Sequence, residues 1–335
     1  MNRFFRVLSS AVLIASFLVF STGCRVMGVK VPDGWKIIRP LDGILSMVIQ
    51  GDTVWVGTKN GLYQVDRKSE TIIGQVKTDP PLTYVKALLL DKNGLLYIGH
   101  FNGLTTFDGN TYRTYTTEDG LPDNRVNSLL QTGDGTVWVG SWGGASAFSG
   151  GRFSTLTRSD GLADDMVNVM LQDDEGGMWF GSAVAPAGGI TYVKDGRFQV
   201  FTTANRLPHD DVTSLYQDRD GNVWAGTGLL YRGGAAKFTF SGSNWTISQT
   251  FSKSDGLAGE KVRSIFQDND GTIWFGAEYD GMTSFSNGKW RTFNEKNGLS
   301  GSEVTCTLQE GDGTLWFGTS SGITRMTYAA AQALR

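Results

Sequence analysis

The stretch VRSIFQDNDGTIWFG, residues 262–276, joins a short apolar run to an aromatic run through an Asp- and Gly-rich turn. Asp268-Asn269-Asp270-Gly271 looks like the opening of a calcium loop. An EF-hand loop needs a bidentate Glu at its twelfth position, where this chain has Tyr279. Asp or Asn followed by Gly is also what a tight hairpin requires, because Gly adopts positive φ at no steric cost. We therefore interpret the stretch as two β-strands joined by a hairpin and predict no metal site here.

The aromatic run belongs to an aromatic-x-Gly motif that recurs along the chain with spacings of 42, 41, 41, 45, 50 and 42 residues. The aromatic residues are Trp55, Tyr97, Trp138, Trp179, Trp224, Trp274 and Trp316. An apolar run such as VNSLLQ (126–131) precedes the motif, and runs such as GLTTFD (103–108) and GRFSTLT (151–157) follow it. Seven units of four short strands predict an all-β fold, a seven-bladed β-propeller of four-stranded antiparallel blades.

The two ends of the repeat array are out of phase with its units. GWKIIRP (34–40) matches fourth-strand segments such as GKWRTFN, whereas the last unit stops after its third strand, GITRMT (322–327). We predict that the N-terminal strand completes the last blade, which closes the ring and covers an edge that would otherwise stay unpaired. The propeller is thus expected to span 34–328, with a C-terminal tail at 329–335.

Several recurring residues are interpreted as scaffold. The aromatic residue of each motif is expected to be a wedge between neighbouring blades, burying a large apolar area. The Gly two residues later is expected to remove a side chain where the strand ends and the backbone bends. Cys306 takes a position that is small in the other units, as in Ser128 and Ser264, and is expected to be a packed thiol.

The N-terminus reads as an export signal over residues 1–23, followed by a linker at 24–33. Arg3 and Arg6 precede an apolar stretch over 7–20, which is shorter than the ~20 residues of a membrane-spanning helix. Small residues before Cys24 resemble a bacterial lipoprotein signal, with Cys24 as the lipidated first residue. They also fit an ordinary cleavage site, which would give a freely secreted protein. Either way we expect a bacterial cell-envelope protein, periplasmic or attached to the outer membrane by its lipid.

Composition narrows the classes of partner. The net charge is −3 and only 19 % of residues are charged, so nothing predicts nucleic-acid binding. Contact with a membrane is expected through the N-terminal lipid alone. The chain has 45 Gly, ten Trp and nineteen Phe, which suits many tight turns between aromatic-rich strands. After Cys24 the only other cysteine is Cys306, so no disulfide framework is expected.

The repeats resemble those of a known family. VNSLLQTGDGTVWVG (126–140) and VRSIFQDNDGTIWFGAEYDGM (262–282), each preceded by DGLP or DGLA, are similar to the propeller repeats of bacterial two-component regulators. In that family such arrays form the periplasmic ligand-sensing part of hybrid histidine kinases. The resemblance covers essentially residues 34–328 and implies a sensor role.

Variation between units is concentrated in two sets of loops. We call the loop before the first strand of a blade its approach loop, and the loop joining its second and third strands its middle loop. In a four-stranded meander these emerge on one face, opposite the uniform Asp-Gly turns. Variable aromatic and charged loops on a uniform scaffold are typical of a ligand-binding face, although loops can also simply diverge. The predicted ligand-binding residues are Tyr84, His100, Phe101, Arg125, Trp142, His209, Asp211, Tyr231, Arg232, Lys261, Glu278, Tyr279 and Glu303.

Three functions remain open from the sequence. The leading hypothesis is a non-enzymatic exported propeller, without cofactor, that binds a glycan, a peptide, or an envelope or signalling protein. The alternative is a propeller lyase or hydrolase in which His100 or His209 acts as a general base. Asp211 or Glu303 would then orient that base or hold a metal. A third hypothesis is an envelope assembly or scaffold protein.

Overall fold

The computed structural model describes residues 31–183, 188–242 and 244–334. They form seven four-stranded antiparallel sheets arranged as consecutive blades, which confirms the predicted all-β seven-bladed propeller. The proposed export signal and Cys24 lie outside the described residues. Within the described part of the chain, no helix is both long and apolar enough to cross a membrane.

Blades one to four follow the chain in order. Blade one comprises β2 (Ile44–Gln50), β3 (Thr53–Thr58), β4 (Gly61–Asp66) and β5 (Thr71–Gln75). Blade two comprises β6 (Ala87–Leu90), β7 (Leu96–His100), β8 (Gly103–Phe107) and β9 (Tyr112–Tyr115). Blade three comprises β10 (Val126–Gln131), β11 (Val137–Ser141), β12 (Gly144–Ser149) and β13 (Arg152–Leu156). Blade four comprises β14 (Val167–Gln172), β15 (Met178–Ser182), β16 (Gly189–Lys194) and β17 (Arg197–Phe201).

The remaining strands complete the ring. Blade five comprises β18 (Val212–Gln217), β19 (Val223–Leu229), β20 (Arg232–Ser241) and β21 (Asn244–Phe251). Blade six comprises β22 (Val262–Gln267), β23 (Ile273–Ala277), β24 (Met282–Ser286) and β25 (Lys289–Phe293). Blade seven comprises β26 (Val304–Gln309), β27 (Leu315–Thr319), β28 (Gly322–Met326) and β1 (Trp35–Ile38).

The N-terminal strand closes the ring as the sequence predicts. β1 pairs antiparallel with β28, with Trp35 opposite Met326 and Ile38 opposite Ile323. Trp35 is buried and its ring lies 5.7 Å from that of Phe293 in blade six. The outer edge of β28 is therefore covered, and the first and last parts of the propeller are held in one sheet.

The motif aromatics are wedges between blades, which confirms that expectation. Each of six touches an aromatic ring of the following blade, with ring centroids between 5.3 and 6.3 Å apart. The pairs are Trp55 with Phe107, Tyr97 with Phe148, Trp138 with Phe180, Trp179 with Phe238, Trp224 with Phe275, and Trp274 with Phe317. The seventh, Trp316, packs with Val54 and Val56 of blade one.

The Asp-Gly turns are tied to these wedges by hydrogen bonds. Trp274 Nε1 donates to Asp268 Oδ2 at 3.0 Å, while Asp268 Oδ1 accepts the backbone N–H groups of Asp270 and Thr272. Asp268 is fully buried, so its carboxylate serves the hairpin and the indole together. Trp179, Trp224 and Trp316 donate in the same way to Asp173, Asp218 and Glu310.

The motif requires Gly for a different reason from the one expected. β23 continues past Gly276 to Ala277, so the strand does not end there. A Cβ at Gly276 would collide with Ser264 Oγ and with the carbonyl of Val304. The Gly therefore permits close packing of the second strand against its own first strand and the next blade. The same contact at Gly318 involves Cys306 Sγ, and burial raises the pKa of that thiol to about 12, consistent with a packed thiol.

Neighbouring blades are linked by glutamines, each of which stands at the end of a first strand. Gln267 Oε1 accepts the N–H of Arg219 in the blade-five turn at 2.9 Å, while its Nε2 donates to Gly271 in its own turn at 3.2 Å. Gln309 makes the corresponding pair of bonds with Asn269 and Gly313. The turns of the Asp-Gly face are thus joined by a repeated pattern of hydrogen bonds.

The C-terminal residues form a short helix that docks on this same scaffold. α1 spans Tyr328–Gln332 and begins inside the range expected for the propeller. Ala331 is buried, and Gln332 Nε2 donates to Asp270 Oδ2 at 2.7 Å. The tail therefore packs against blade six.

Candidate functional site

The approach and middle loops lie together on one face of the ring. In blade after blade, the first N–H of the middle loop donates to a carbonyl of the approach loop. Trp142 donates to Arg125 at 3.3 Å, and Glu278 donates to Lys261 at 3.0 Å. The predicted common face is confirmed by these bonds, and the Asp-Gly turns occupy the opposite face.

A cavity of about 520 Å³ opens at the centre of this face. Its mouth is lined by the second residue of each first-strand segment, which follows a fixed Val or Ile. In six blades a β-bulge at this residue shifts the strand register. We call these seven residues the rim; they are Leu45, Lys86, Asn127, Asn168, Thr213, Arg263 and Thr305.

Four side chains form a hydrogen-bonded relay along half of the mouth, from blade two to blade five. Lys86 Nζ donates to Asn127 Oδ1 at 3.0 Å, and Asn127 Nδ2 lies 3.4 Å from Asn168 Oδ1. Asn168 Nδ2 in turn donates to Asp211 Oδ1 at 3.2 Å. The relay therefore runs from a cation at one end to a carboxylate at the other.

The opposite half of the mouth carries paired charges. Lys261 Nζ lies 2.8 Å from Glu278 Oε2, and Arg263 Nε lies 3.0 Å from Glu303 Oε1. All four side chains are between 12 and 26 % exposed, so the pairs are partly desolvated and hold each other in place. Lys261 and Arg263 line the cavity, and these contacts hold the predicted residues Glu278 and Glu303 beside them.

Burial shifts the two ends of the relay in the direction that favours their neutral forms. Burial lowers the pKa of Lys86 to about 8, and the nearby Arg263 lowers it further while Asp211 opposes the shift. Burial raises the pKa of the Asp211 carboxyl, against the effect of Lys261. The charge of each of these two groups therefore shifts the pKa of the other.

An aromatic cluster borders the relay on blades two and three. Tyr84 stacks on Phe101 with centroids 4.5 Å apart, and Phe101 meets Trp142 edge-on at 6.3 Å. The Arg125 guanidinium lies 3.9 Å from the centre of the Trp142 ring. Trp142 Nε1 donates to Asn127 Oδ1 at 3.3 Å, so the cluster is joined directly to the rim. We call Tyr84, Phe101 and Trp142 the aromatic platform.

A second group of predicted residues projects further from the ring. β19 and β20 extend as a hairpin whose tip carries Leu230 and Tyr231, with exposures of 69 and 84 %. Arg232 follows the tip, also exposed. Tyr279 of blade six is 63 % exposed, and the Glu278 carboxylate raises the pKa of its phenol. These side chains belong to blades five and six and do not line the cavity.

The structure separates the two histidines. His100 is 1 % exposed, its Nε2 bonds Thr105 Oγ1 at 2.8 Å, and its Nδ1 accepts the N–H of Asn102. Thr58 accepts the N–H of Asn60 at the same place in blade one, so His100 is a hairpin cap rather than a surface residue. Burial lowers the pKa of His100 to about 4.

His209 lies on the predicted face, half-buried in the approach loop of blade five. Its Nδ1 accepts the backbone N–H of Asp211 at 2.9 Å. The two histidines are in blades two and five, and neither is among the residues that line the cavity. The geometry does not bring them together.

Sequence reasoning missed Lys86, Asn127, Asn168 and Arg263, because these residues lie in, or directly before, strands that looked like scaffold. A signal for them was present. The segments VKA, VNS, VNV and VRS keep an apolar first residue and a third residue no larger than Val, while the residue between them varies in size and charge. A variable position between two constant ones is typical of a functional position on a repeated frame.

These features define the chain as a closed seven-bladed β-propeller with one uniform face and one variable face around a central cavity. Residues 120–143, 161–183, 206–228, 256–279 and 298–321 match the two component regulator propeller family. These five segments are repeats of this family, and each runs from a DGLP-like loop through the rim to the end of the second strand.

Solved structures share the fold at low sequence identity. The extracellular domain of a protein described as a hybrid two component system, BT3049 from B. thetaiotaomicron, aligns with a TM-score of 0.71 and 20 % identity over 88 % of this chain. This chain covers 42 % of that one, so it spans about two fifths of its length. A catalytically inactive virginiamycin B lyase from Staphylococcus aureus with quinupristin has a TM-score of 0.66 and 14 % identity, covering 88 % of this chain and 99 % of the lyase. No curated protein matches the chain in sequence.

Proposed function

We propose that this chain is a sensor-type propeller of the bacterial cell envelope that binds a small ligand, without chemical turnover, at the mouth of its central cavity. The ligand classes that fit the site are a glycan and a short peptide. Both offer a flat or apolar surface together with groups that accept and donate hydrogen bonds. A signalling or envelope protein would then respond to the bound form.

One observation carries the proposal: the aromatic platform is continuous with the polar rim. Trp142 contacts Phe101, Arg125 and Asn127 at once, so a ligand over the mouth can stack on a ring while bonding the relay. Tyr84 is held at φ 52°, a conformation that non-glycine residues rarely adopt, and stacks on Phe101. Backbone strain of this kind is found preferentially at functional sites.

The match to the two component regulator propeller family supports the sensor role. The similar BT3049 structure is an extracellular domain, which supports a location outside the cytoplasm. Catalysis is less well supported. His100 is a buried hairpin cap, and the Nδ1 of His209 is already engaged by the Asp211 N–H, so no histidine pair faces a common substrate.

The proposal is tested by thermal shift against pools of oligosaccharides and short peptides. The variant replaces Phe101 and Trp142 with Ala. The matched control is Phe198→Ala, an aromatic on the outer strand β17 that is 41 % exposed and far from the mouth. We expect at least one pool to raise the Tm of the wild type and the control while leaving the double variant unchanged. A pool that shifts the double variant equally, or no shift by any pool, contradicts the proposal.

A further inference from the structure

The charged side chains at the mouth differ in whether they form an ion pair. Lys261 and Arg263 each have a carboxylate partner, at 2.8 and 3.0 Å. Among residues 31–183, 188–242 and 244–334, no ion pair involves Lys86 or Asp211. Both side chains line the cavity, in blades two and five on different sides of the ring. Within these described residues, the mouth therefore presents one cation and one anion that form no direct ion pair with a protein side chain.

The two amides between them hold these charges apart and fix their polarity. Asn127 Nδ2 donates to the carbonyl of Val167 at 3.2 Å, and Asn168 Nδ2 donates to that of Val212 at 3.1 Å. These bonds turn Oδ1 of Asn127 toward Lys86 and Nδ2 of Asn168 toward Asp211. Each amide dipole thus stabilises the charged form at its own end of the relay.

The spacing sets the length of a ligand that could engage both ends. Three hydrogen bonds of about 3 Å and two amide groups separate Lys86 from Asp211, a span on the order of 10 Å along the rim. An extended chain covers at most about 3.5 Å per residue. A ligand of two or three residues, bonded at each end, matches this span, whereas a single amino acid is too short.

The floor below the rim is largely apolar. Two residues further along the same first strands, the cavity is lined by Leu88, Leu129, Met170, Leu215 and Ile265, while Thr307 takes this position in blade seven. An apolar side chain of a ligand held at the rim would point into this floor. The site therefore combines two opposite charges at the rim with an apolar pocket beneath them.

We propose that the mouth binds a short zwitterionic peptide, with its terminal carboxylate on Lys86, its terminal ammonium on Asp211 and an apolar side chain in the floor. This inference rests on the proposed function and selects the peptide class within it. A neutral glycan would leave two desolvated charges without counter-ions, which costs free energy. A zwitterion supplies both counter-ions at once.

The experiment measures binding by titration calorimetry, starting from pools of dipeptides and tripeptides that contain one apolar residue. Each peptide that binds is then compared with its N-acetylated, C-amidated and doubly blocked forms. The variants are Lys86→Met and Asp211→Asn, the second being isosteric, with Lys289→Met on the exposed strand β25 as the control. Circular dichroism confirms that each variant is folded.

We expect each single block to weaken binding to the wild type and to Lys289→Met by about tenfold to a hundredfold, the range for a hydrogen bond to a charged group. Lys86→Met is expected to bind the amide and the free acid equally while still rejecting the acetylated form. Asp211→Asn is expected to show the reverse. This crossed pattern assigns each terminus to one residue.

Two results would overturn the inference while leaving the proposed function intact. One is tight binding of peptides that is indifferent to blocking, and the other is binding of oligosaccharides, but not peptides, that requires the aromatic platform. If neither class binds wild-type protein in a way that depends on Trp142, the proposed function fails as well.

Discussion

Replacing Lys86 with Met is predicted to stabilise the propeller, because wild-type protein holds this side chain charged in a desolvated site. Its pKa is about 8, against 10.5 for an ordinary lysine. Keeping it protonated at neutral pH costs roughly 3 kcal/mol at about 1.4 kcal/mol per pKa unit. Met fills a similar volume, and Asn127 Oδ1 keeps a donor in Trp142 Nε1 at 3.3 Å. We expect a gain of roughly 2–3 kcal/mol in the free energy of unfolding at pH 7.

The gain should depend on pH in a defined direction. Below pH 8 the lysine is charged in both the folded and the unfolded state, so the full penalty is present. Between pH 8 and 10.5 the folded state loses the proton first, so the wild type recovers stability as pH rises. The charged groups around Lys86 are Arg263, Asp211 and Lys261. Arg263 and Lys261 lower the pKa of Lys86 and Asp211 raises it, so their effects are already part of the pKa of about 8.

The assay is urea unfolding of both proteins at pH 6, 7, 8, 9 and 10. The matched control is Lys261→Met, which removes the partner of the partly buried Glu278 and should lower stability by about 1 kcal/mol or more. If Lys86→Met is destabilising at pH 7, or its gain does not shrink above pH 8, then Lys86 is not a desolvated cation and the reasoning is wrong.

Three further outcomes are expected. Trp274→Phe removes the indole donor to Asp268 and should lower the free energy of unfolding by about 1–3 kcal/mol in urea; no change would refute the turn-to-wedge bond. Deleting residues 25–40 uncovers β28 and should lower the Tm of the whole ring, whereas an unchanged melting curve contradicts closure by β1. Because its pKa is about 12, the Cys306 thiol should react with iodoacetamide at pH 8 at least tenfold more slowly in native than in unfolded protein, and equal rates would contradict the raised pKa.

The fold was predictable because its signals are local and repeated seven times. Trp274 and the turn at 268–271 identify one hairpin, and six relatives of that hairpin set the blade count. The out-of-phase ends then required closure by Trp35–Ile38. The sequence did not reveal that Asp268 bonds the indole, because that contact depends on the depth at which the turn is buried.

The candidate site was predictable only in outline. Loop position placed Tyr84 and Trp142 on one face, but nothing in the sequence shows that Phe101 stacks between blades to join them. His100 looked exposed because it follows a strand, whereas it replaces a hydroxyl residue in a buried hairpin cap. The rim was missed because its variable residues stand between constant ones in segments that looked like scaffold. In six of the seven blades a β-bulge also changes which side chains face the channel, and the sequence does not show where that bulge falls.

The most direct test of the central claim uses the indole N–H resonances of the ten tryptophans in a ¹⁵N-labelled sample. Most of these rings are inter-blade wedges, whereas Trp142 lies at the mouth beside Asn127. Titration with the best-binding peptide or oligosaccharide should shift the Trp142 resonance while leaving those of Trp274 and Trp316 in place. A shift of the wedge resonances with Trp142 unmoved would contradict ligand binding at the mouth.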